Sequence, residues 1–312
     1  MRIIAERIGD GMSEKVNFEL ALRNTAGLPG VRIERETYLR AELKKRYPAV
    51  MVEKAIEHNP AYAGIPVEEI NKIAKAAIKY ETTKVTAISF AGGIPGGVAM
   101  AGTIPADIAQ YFGHILRILQ KLVYLYGWED LFQKGEAMDD ETANLMTLFV
   151  GVMFGVNGAA AGINRIAASA AQKVYKNLLN KALTKGIVYP IVKKVATKLG
   201  VKMTKEIFAR TVSRTIPFIG AFTSAGLTFF TFKPMAKELQ KYLAGLPQAD
   251  AGFYTDKSNF EKVIDVEADE ASIRSIMEEL ENEIKEEERE LEELEKQYES
   301  DGISKKGGKP HV

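Results

Sequence analysis

The chain has no cysteine, three histidines and one tryptophan in 312 residues. Without thiols it can form no disulfide, hold no thiolate metal or iron–sulfur centre, and use no cysteine nucleophile, which suits a reducing compartment. His58, His114 and His311 are too few for most metal sites, because a catalytic zinc wants three protein ligands. Neither a metal nor another cofactor is expected. No Gly-x-Ser-x-Gly elbow is present, and no serine triad can be assembled convincingly. The run Gly92-Gly93-Ile94-Pro95-Gly96-Gly97 is followed by Val98 and Ala99, not by the Lys-Ser/Thr of a phosphate loop, so it reads as a helix-breaking turn. The start, Met1 to Ile8, has no apolar core of signal-peptide length before its first charges, and export is not expected.

The most informative absence is of negative charge. No Asp or Glu lies between Glu141 and Glu206, a 64-residue interval that holds ten bases: Arg165, Lys173, Lys176, Lys181, Lys185, Lys193, Lys194, Lys198, Lys202 and Lys205. Exposed cations in such number repel one another unless something neutralises them, so the stretch argues for an anionic partner surface. The plain alternative is a solvated helical face, screened by salt within about 10 Å. The acids are concentrated elsewhere. Residues 265–300 carry sixteen acids against four bases, a net of −12, and residues 301–312 a net of +2. With an overall charge of +1, residues 1–264 carry +11.

Strand signals are scarce and helical spacing runs through most of the chain. Residues 36–58 read as helix interrupted at Pro48. A second helix opens at Pro66-Val67-Glu68-Glu69, with acids in the first turn, and repeats apolar residues at Ile70, Ile73, Ala74, Ala77 and Ile78. A third opens at Pro105 and stops at Gly127, with Ile108, Phe112, Ile115, Leu116, Leu119, Leu122 and Val123 on one side. Asp107, Gln110, His114, Arg117 and Lys121 form a polar line along it. Three blocks carry no charge: 85–106, 142–164 and 215–232. Each is close to the roughly 20 residues a membrane span needs. The first is broken by Gly and Pro, the second contains Asn157, and the third is threaded with Thr and Ser. Buried core helices are therefore the leading expectation, ahead of shallow insertion and of a constitutive span. The many glycines of these blocks, Gly151, Gly155, Gly158 and Gly162 among them, suggest close helix approach.

From about residue 258 the composition changes. Ile273, Met277, Leu280, Ile284, Glu287, Leu291, Leu294 and Tyr298 follow a heptad seam with one polar interruption. A coiled coil is the favoured reading, and an acidic helix leaning on the body is its rival. Residues 301–312 read as a disordered tail.

For chemistry, Asp107 and His114 lie two helical turns apart on one face, and Arg117 or Arg214 could neutralise Asp107. Asp107, His114 and Arg117 are weak catalytic candidates, since buried ion pairs are more often structural. Nucleic acid is not expected to be the anionic partner. The basic interval has only Phe149, Phe154, Tyr175 and Tyr189 as aromatics, without the interleaving of a single-strand binder. Lysines beside apolar blocks suit an anionic lipid interface, at about 1 kcal/mol each near the surface.

Two segments support a family resemblance. Gly102-Thr-Ile-Pro-Ala-Asp107 followed by Leu116-Arg-Ile-Leu-Gln-Lys-Leu-Val-Tyr-Leu-Tyr-Gly127 resembles the central signature of the bacterial EcsC family, and Arg214-Thr-Ile-Pro-Phe-Ile-Gly-Ala221 resembles its second. The similarity covers roughly residues 50–245. It implies a bacterial, largely helical protein with a link to membrane processes, and supplies no catalytic residues. Asp107, Arg117, Tyr126, Gly127, Arg214, Pro217 and Gly220 are the motif positions, functional or architectural. The acidic segment lies beyond the family pattern.

The expected fold is all-α: a helical body over 1–257, rich in Ala/Gly helix contacts, an acidic heptad helix or coiled coil over 258–300, and the tail. The expected function is a non-enzymatic, cytoplasmic protein peripheral to the inner face of the cell membrane. It would bind anionic lipid through the bases of 165–205 and use the arm to form a homo-oligomer or recruit a coiled-coil partner. An enzyme acting on a lipid-like substrate and a membrane-disrupting effector are the alternatives. Opposite net charges also allow the arm to fold back onto the basic surface. Truncation at Ile264 would then tighten liposome binding.

Overall fold

The computed structural model of the chain describes residues 18–91, 106–132, 138–171, 191–201, 224–255 and 270–306. These are helical, with no strand among them, so the fold is all-α as the sequence indicates. The helices are α1 (Phe18–Ala26), α2 (Arg35–Leu43), α3 (Ala49–Glu57), α4 (Val67–Ala91), α5 (Ala106–Leu125), α6 (Asp140–Met153), α7 (Asn157–Ala171), α8 (191–201), α9 (Ser224–Ala244) and α10 (Glu270–Lys306). Two short 3-10 turns, Pro247–Ala249 and Gly252–Tyr254, follow α9.

Helix α5 is the centre of the body. From Phe112 to Tyr126 every side chain but Arg117 is buried, because α1, α2, α4, α6 and α9 all pack on it. An α-helix surrounded this way can keep polar residues only where partners reach them. Gln120 meets that condition: its amide nitrogen donates to Val31 O (3.0 Å) and Leu116 O (2.8 Å), and its oxygen accepts from Ile33 N (2.7 Å). The α1–α2 loop is thereby fixed to the helix. At the other end Gly127 adopts φ +95°, and Trp128 N donates to Val123 O (3.0 Å), closing the helix with a left-handed glycine cap. A Cβ there would meet Gln248 O at 2.7 Å, so the turn needs glycine twice over.

The uncharged stretch 142–164 is not one long helix. Asp139 caps α6 by accepting from Thr142 N (2.7 Å), and the helix ends where Gly155 turns the chain with φ +67°. Helix α7 then runs back along α6. At 14 residues α6 is about 21 Å long, well short of a bilayer core. No helix among the described residues is long and apolar enough to cross a membrane. Small residues make the hairpin tight: a Cβ on Gly151 would lie 2.6 Å from Ala159 Cβ, and one on Gly162 would lie 2.9 Å from Leu148 Cδ2.

Helix α9 packs chiefly against α4, where Gln240 Nε2 donates to Asn71 O (3.3 Å). Arg35, buried at the start of α2, donates to the carbonyls of Ile56 (2.7 Å), His58 (2.7 Å) and Trp128 (3.0 Å). It satisfies the C-terminal carbonyls of α3 and ties them to the turn that follows α5. Helix α10 leans on α7. It also continues through 301–306, residues that read as tail in the sequence, and the lysines at 305 and 306 suit the negative end of its dipole.

Candidate functional site

Two polar features stand out, one inside the body and one on it. The inner one is built on Glu81 of α4, whose side chain is fully buried (0% exposed). Lys121 Nζ lies 2.5 Å from its Oε1, Arg117 Nη2 3.3 Å from the same oxygen, and His114 Nδ1 3.2 Å from Oε2. A charged carboxylate at that distance selects the Nδ1–H tautomer of His114. Burial alone would raise the Glu81 pKa. The hydrogen bond from His114 and the charges of Lys121 and Arg117 outweigh it and hold the carboxyl at about 2. The Lys121 ammonium also faces the rings of Tyr80 (5.0 Å) and Tyr38 (5.6 Å), favourable cation–π placements. Burial, with the charges of Glu42 and Glu81, pushes the Tyr38 phenol well above its usual range.

This cluster takes up two of the polar residues that the sequence places along α5. Arg117 and His114 converge on Glu81, and Arg117 donates also to Gly30 O. The side chain of Asp107 lies outside the described residues. A carboxyl held near 2 is a poor proton acceptor at neutral pH, where a working base sits near 7. The arrangement ties α4 to α5 and to the α1–α2 loop. Glu81 was the residue that sequence reasoning missed, although its signal is present: Ile70, Ile73, Ala74, Ala77 and Ile78 lead at helical spacing to position 81. An acid on the core face demands hydrogen-bond donors and cations opposite, and His114, Arg117 and Lys121 supply them.

Of the motif positions, Tyr126 and Gly127 are architectural. Tyr126 is buried with its hydroxyl 2.5 Å from Asn71 Oδ1, linking α5 to α4, and burial raises its phenol to about 12. Arg214, Pro217 and Gly220 lie outside the described residues.

The outer feature is the contact between α10 and the basic interval. Lys194 Nζ donates to Glu281 Oε1 (2.6 Å), and Lys198, itself only 5% exposed, donates to Glu283. Asn157 Nδ2 at the start of α7 donates to Glu279 (2.9 Å) and Glu283 (2.5 Å). The Lys194 hydrogen bond holds the Glu281 carboxyl below its usual range. Between these polar groups Leu280 sits over Gly158, where a Cβ would come within 2.5 Å of Leu280 Cδ1. Ile276 and Met277 pack beside it, and Ile284 and Leu291 are also buried.

Both expectations for this region change in detail. The heptad residues Met277 and Leu280 pack on the body, where glycine at 158 leaves room for a leucine. Over this stretch the acidic helix leans on the body. Leu294, at 41% exposed, is the first seam residue to leave cover, and the side chains of Ile273 and Tyr298 lie outside the described residues. Lys194 and Lys198 are engaged with carboxylates and do not form an open basic face, while Lys193 faces α1, 3.4 Å from Glu19 Oε2. Lys173, Lys176, Lys181, Lys185, Lys202 and Lys205 lie outside the described residues, as does the side chain of Arg165.

Among the described residues no three His, Asp or Glu side chains come together to hold a metal ion. Compared with protein-family models, curated proteins and solved structures, the chain matches none.

Proposed function

We propose that the chain is a non-enzymatic protein that binds anionic membrane surfaces peripherally through the bases of 165–205. The observation that carries the reading is the acid-free interval with its ten cations, together with what its described members do. Lys193, Lys194 and Lys198 each hold a carboxylate from a distant part of the chain. A surface that gathers carboxylates is suited to phosphate and carboxylate headgroups, at about 1 kcal/mol per lysine near the bilayer. The resemblance to the EcsC family points the same way. Spending His114 and Arg117 on Glu81 argues against a catalytic centre on α5, and the short α6–α7 hairpin argues for adhesion over insertion. Partner recruitment through the arm would use the part of α10 beyond Leu291, where Leu294 is exposed. Flotation with vesicles tests the proposal. The protein rises with phosphatidylserine-containing vesicles and stays behind with pure phosphatidylcholine. Equal behaviour with the two refutes it.

A further inference from the structure

Helix α10 occupies the ground that a bilayer would need. The two lysines of α8 that share one face, Lys194 and Lys198, are both bonded to it, and Lys198 is almost fully covered. The contact is amphipathic. Glu281 and Glu283 meet the ammonium groups, while Leu280 fills the notch over Gly158 and Ile276 and Met277 extend the apolar strip. An anionic bilayer offers the same pairing, a layer of negative headgroups above an apolar layer. From this we infer that α10 is an intramolecular stand-in for the membrane, a latch that an anionic bilayer displaces from the α7–α8 surface. The inference rests on the membrane reading and adds its regulation. The latch is reversible because its Lys194–Glu281 pair is part-exposed and its apolar part is a few side chains deep. Releasing it frees two lysines for headgroups, each worth about fivefold in partition, so roughly thirtyfold together.

Charge-matched variants separate displacement from simple attraction. Glu281→Gln with Glu283→Gln breaks both ion pairs. Glu292→Gln with Glu293→Gln removes the same charge from positions whose described ion pairs run only along α10 itself, to Lys296 and Arg289. Gly158→Leu closes the notch at no change in charge. The native chain has no cysteine, so Thr197→Cys on α8 and Asn282→Cys on α10, both exposed, can carry a pair of spin labels. In the labelled chain the α8–α10 separation is short and narrow, and it lengthens with Gly158→Leu, with Glu281→Gln/Glu283→Gln, and on adding phosphatidylserine vesicles. Both released variants partition onto those vesicles about thirtyfold more strongly than the parent, and the Glu292/Glu293 variant does not. Released variants that bind no better than the parent overturn the latch and leave the membrane reading standing. Released variants that bind no vesicle at all overturn both. Displacement by duplex DNA but not by vesicles overturns the membrane as the occupant.

Discussion

Replacing Glu81 by Gln keeps the shape of the buried side chain and removes its charge. Lys121 and Arg117 are then left as two cations around a neutral amide, with the Lys121 side chain only 9% exposed and the Arg117 side chain 21% exposed. Breaking a buried ionic group by removing one partner costs about 3–5 kcal/mol, because the remaining charge is uncompensated. The carboxyl itself gives a similar figure. Its pKa stands at about 2 against an ordinary 4.5, a preference for the charged, folded form on the order of 3 kcal/mol. Unfolding entropy of about 2.1 cal/mol/K per residue makes this a Tm loss of roughly 5–8 °C for a chain of this length. The sign with pH follows from the lowered pKa. The contribution is complete above about 4.5, is lost as pH falls toward 2, and is absent from Glu81→Gln throughout. Urea melts of parent and variant at neutral pH and near pH 3 measure both effects, the gap between them narrowing in acid. Lys121→Met added to Glu81→Gln recovers part of the loss, whereas Lys121→Met alone destabilises. A Glu81→Gln protein within about 1 kcal/mol of the parent at neutral pH would refute the reasoning.

Three smaller predictions concern architecture. Gly127→Ala loses more stability than Gly64→Ala, since Gly64 has φ +83° with open space around it and Gly127 adds a 2.7 Å clash with Gln248 O; about 1–2 kcal/mol is expected at Gly64 and more at Gly127, read by thermal melts. Arg35→Lys destabilises by about 2 kcal/mol or more, because one ammonium cannot replace a guanidinium fork spanning Ile56, His58 and Trp128; melts indistinguishable from the parent would contradict the capping role. Asp139→Ala costs about 1 kcal/mol through the lost α6 cap, and Asp139→Ser restores most of it in the same assay.

Periodicity made the helices legible. The apolar faces of α4 and α5, the stop at Gly127 and the acidic start of α6 are local signals with local causes. The break inside 142–164 was less legible, because Phe154-Gly155-Val156 carries one glycine among several, and only the φ of Gly155 distinguishes it from Gly151, which stays helical. Glu81 is hidden when charges are paired by sequence pattern: the sequence offers Arg117 or Arg214 to neutralise Asp107, whereas Arg117 reaches Glu81 on α4. The heptad of α10 read as a seam for another chain. Its contact with the body depends on Gly158, a residue whose importance appears only when Leu280 is above it.

The central claim is that the cations of 165–205 exist to meet a negatively charged bilayer. Flotation of the intact chain with phosphatidylserine vesicles, repeated across a series of salt concentrations, addresses it most directly. The account predicts recovery with the vesicles at low salt and progressive release as the Debye length shrinks. A chain that never floats, or that floats equally well at every salt concentration, contradicts it.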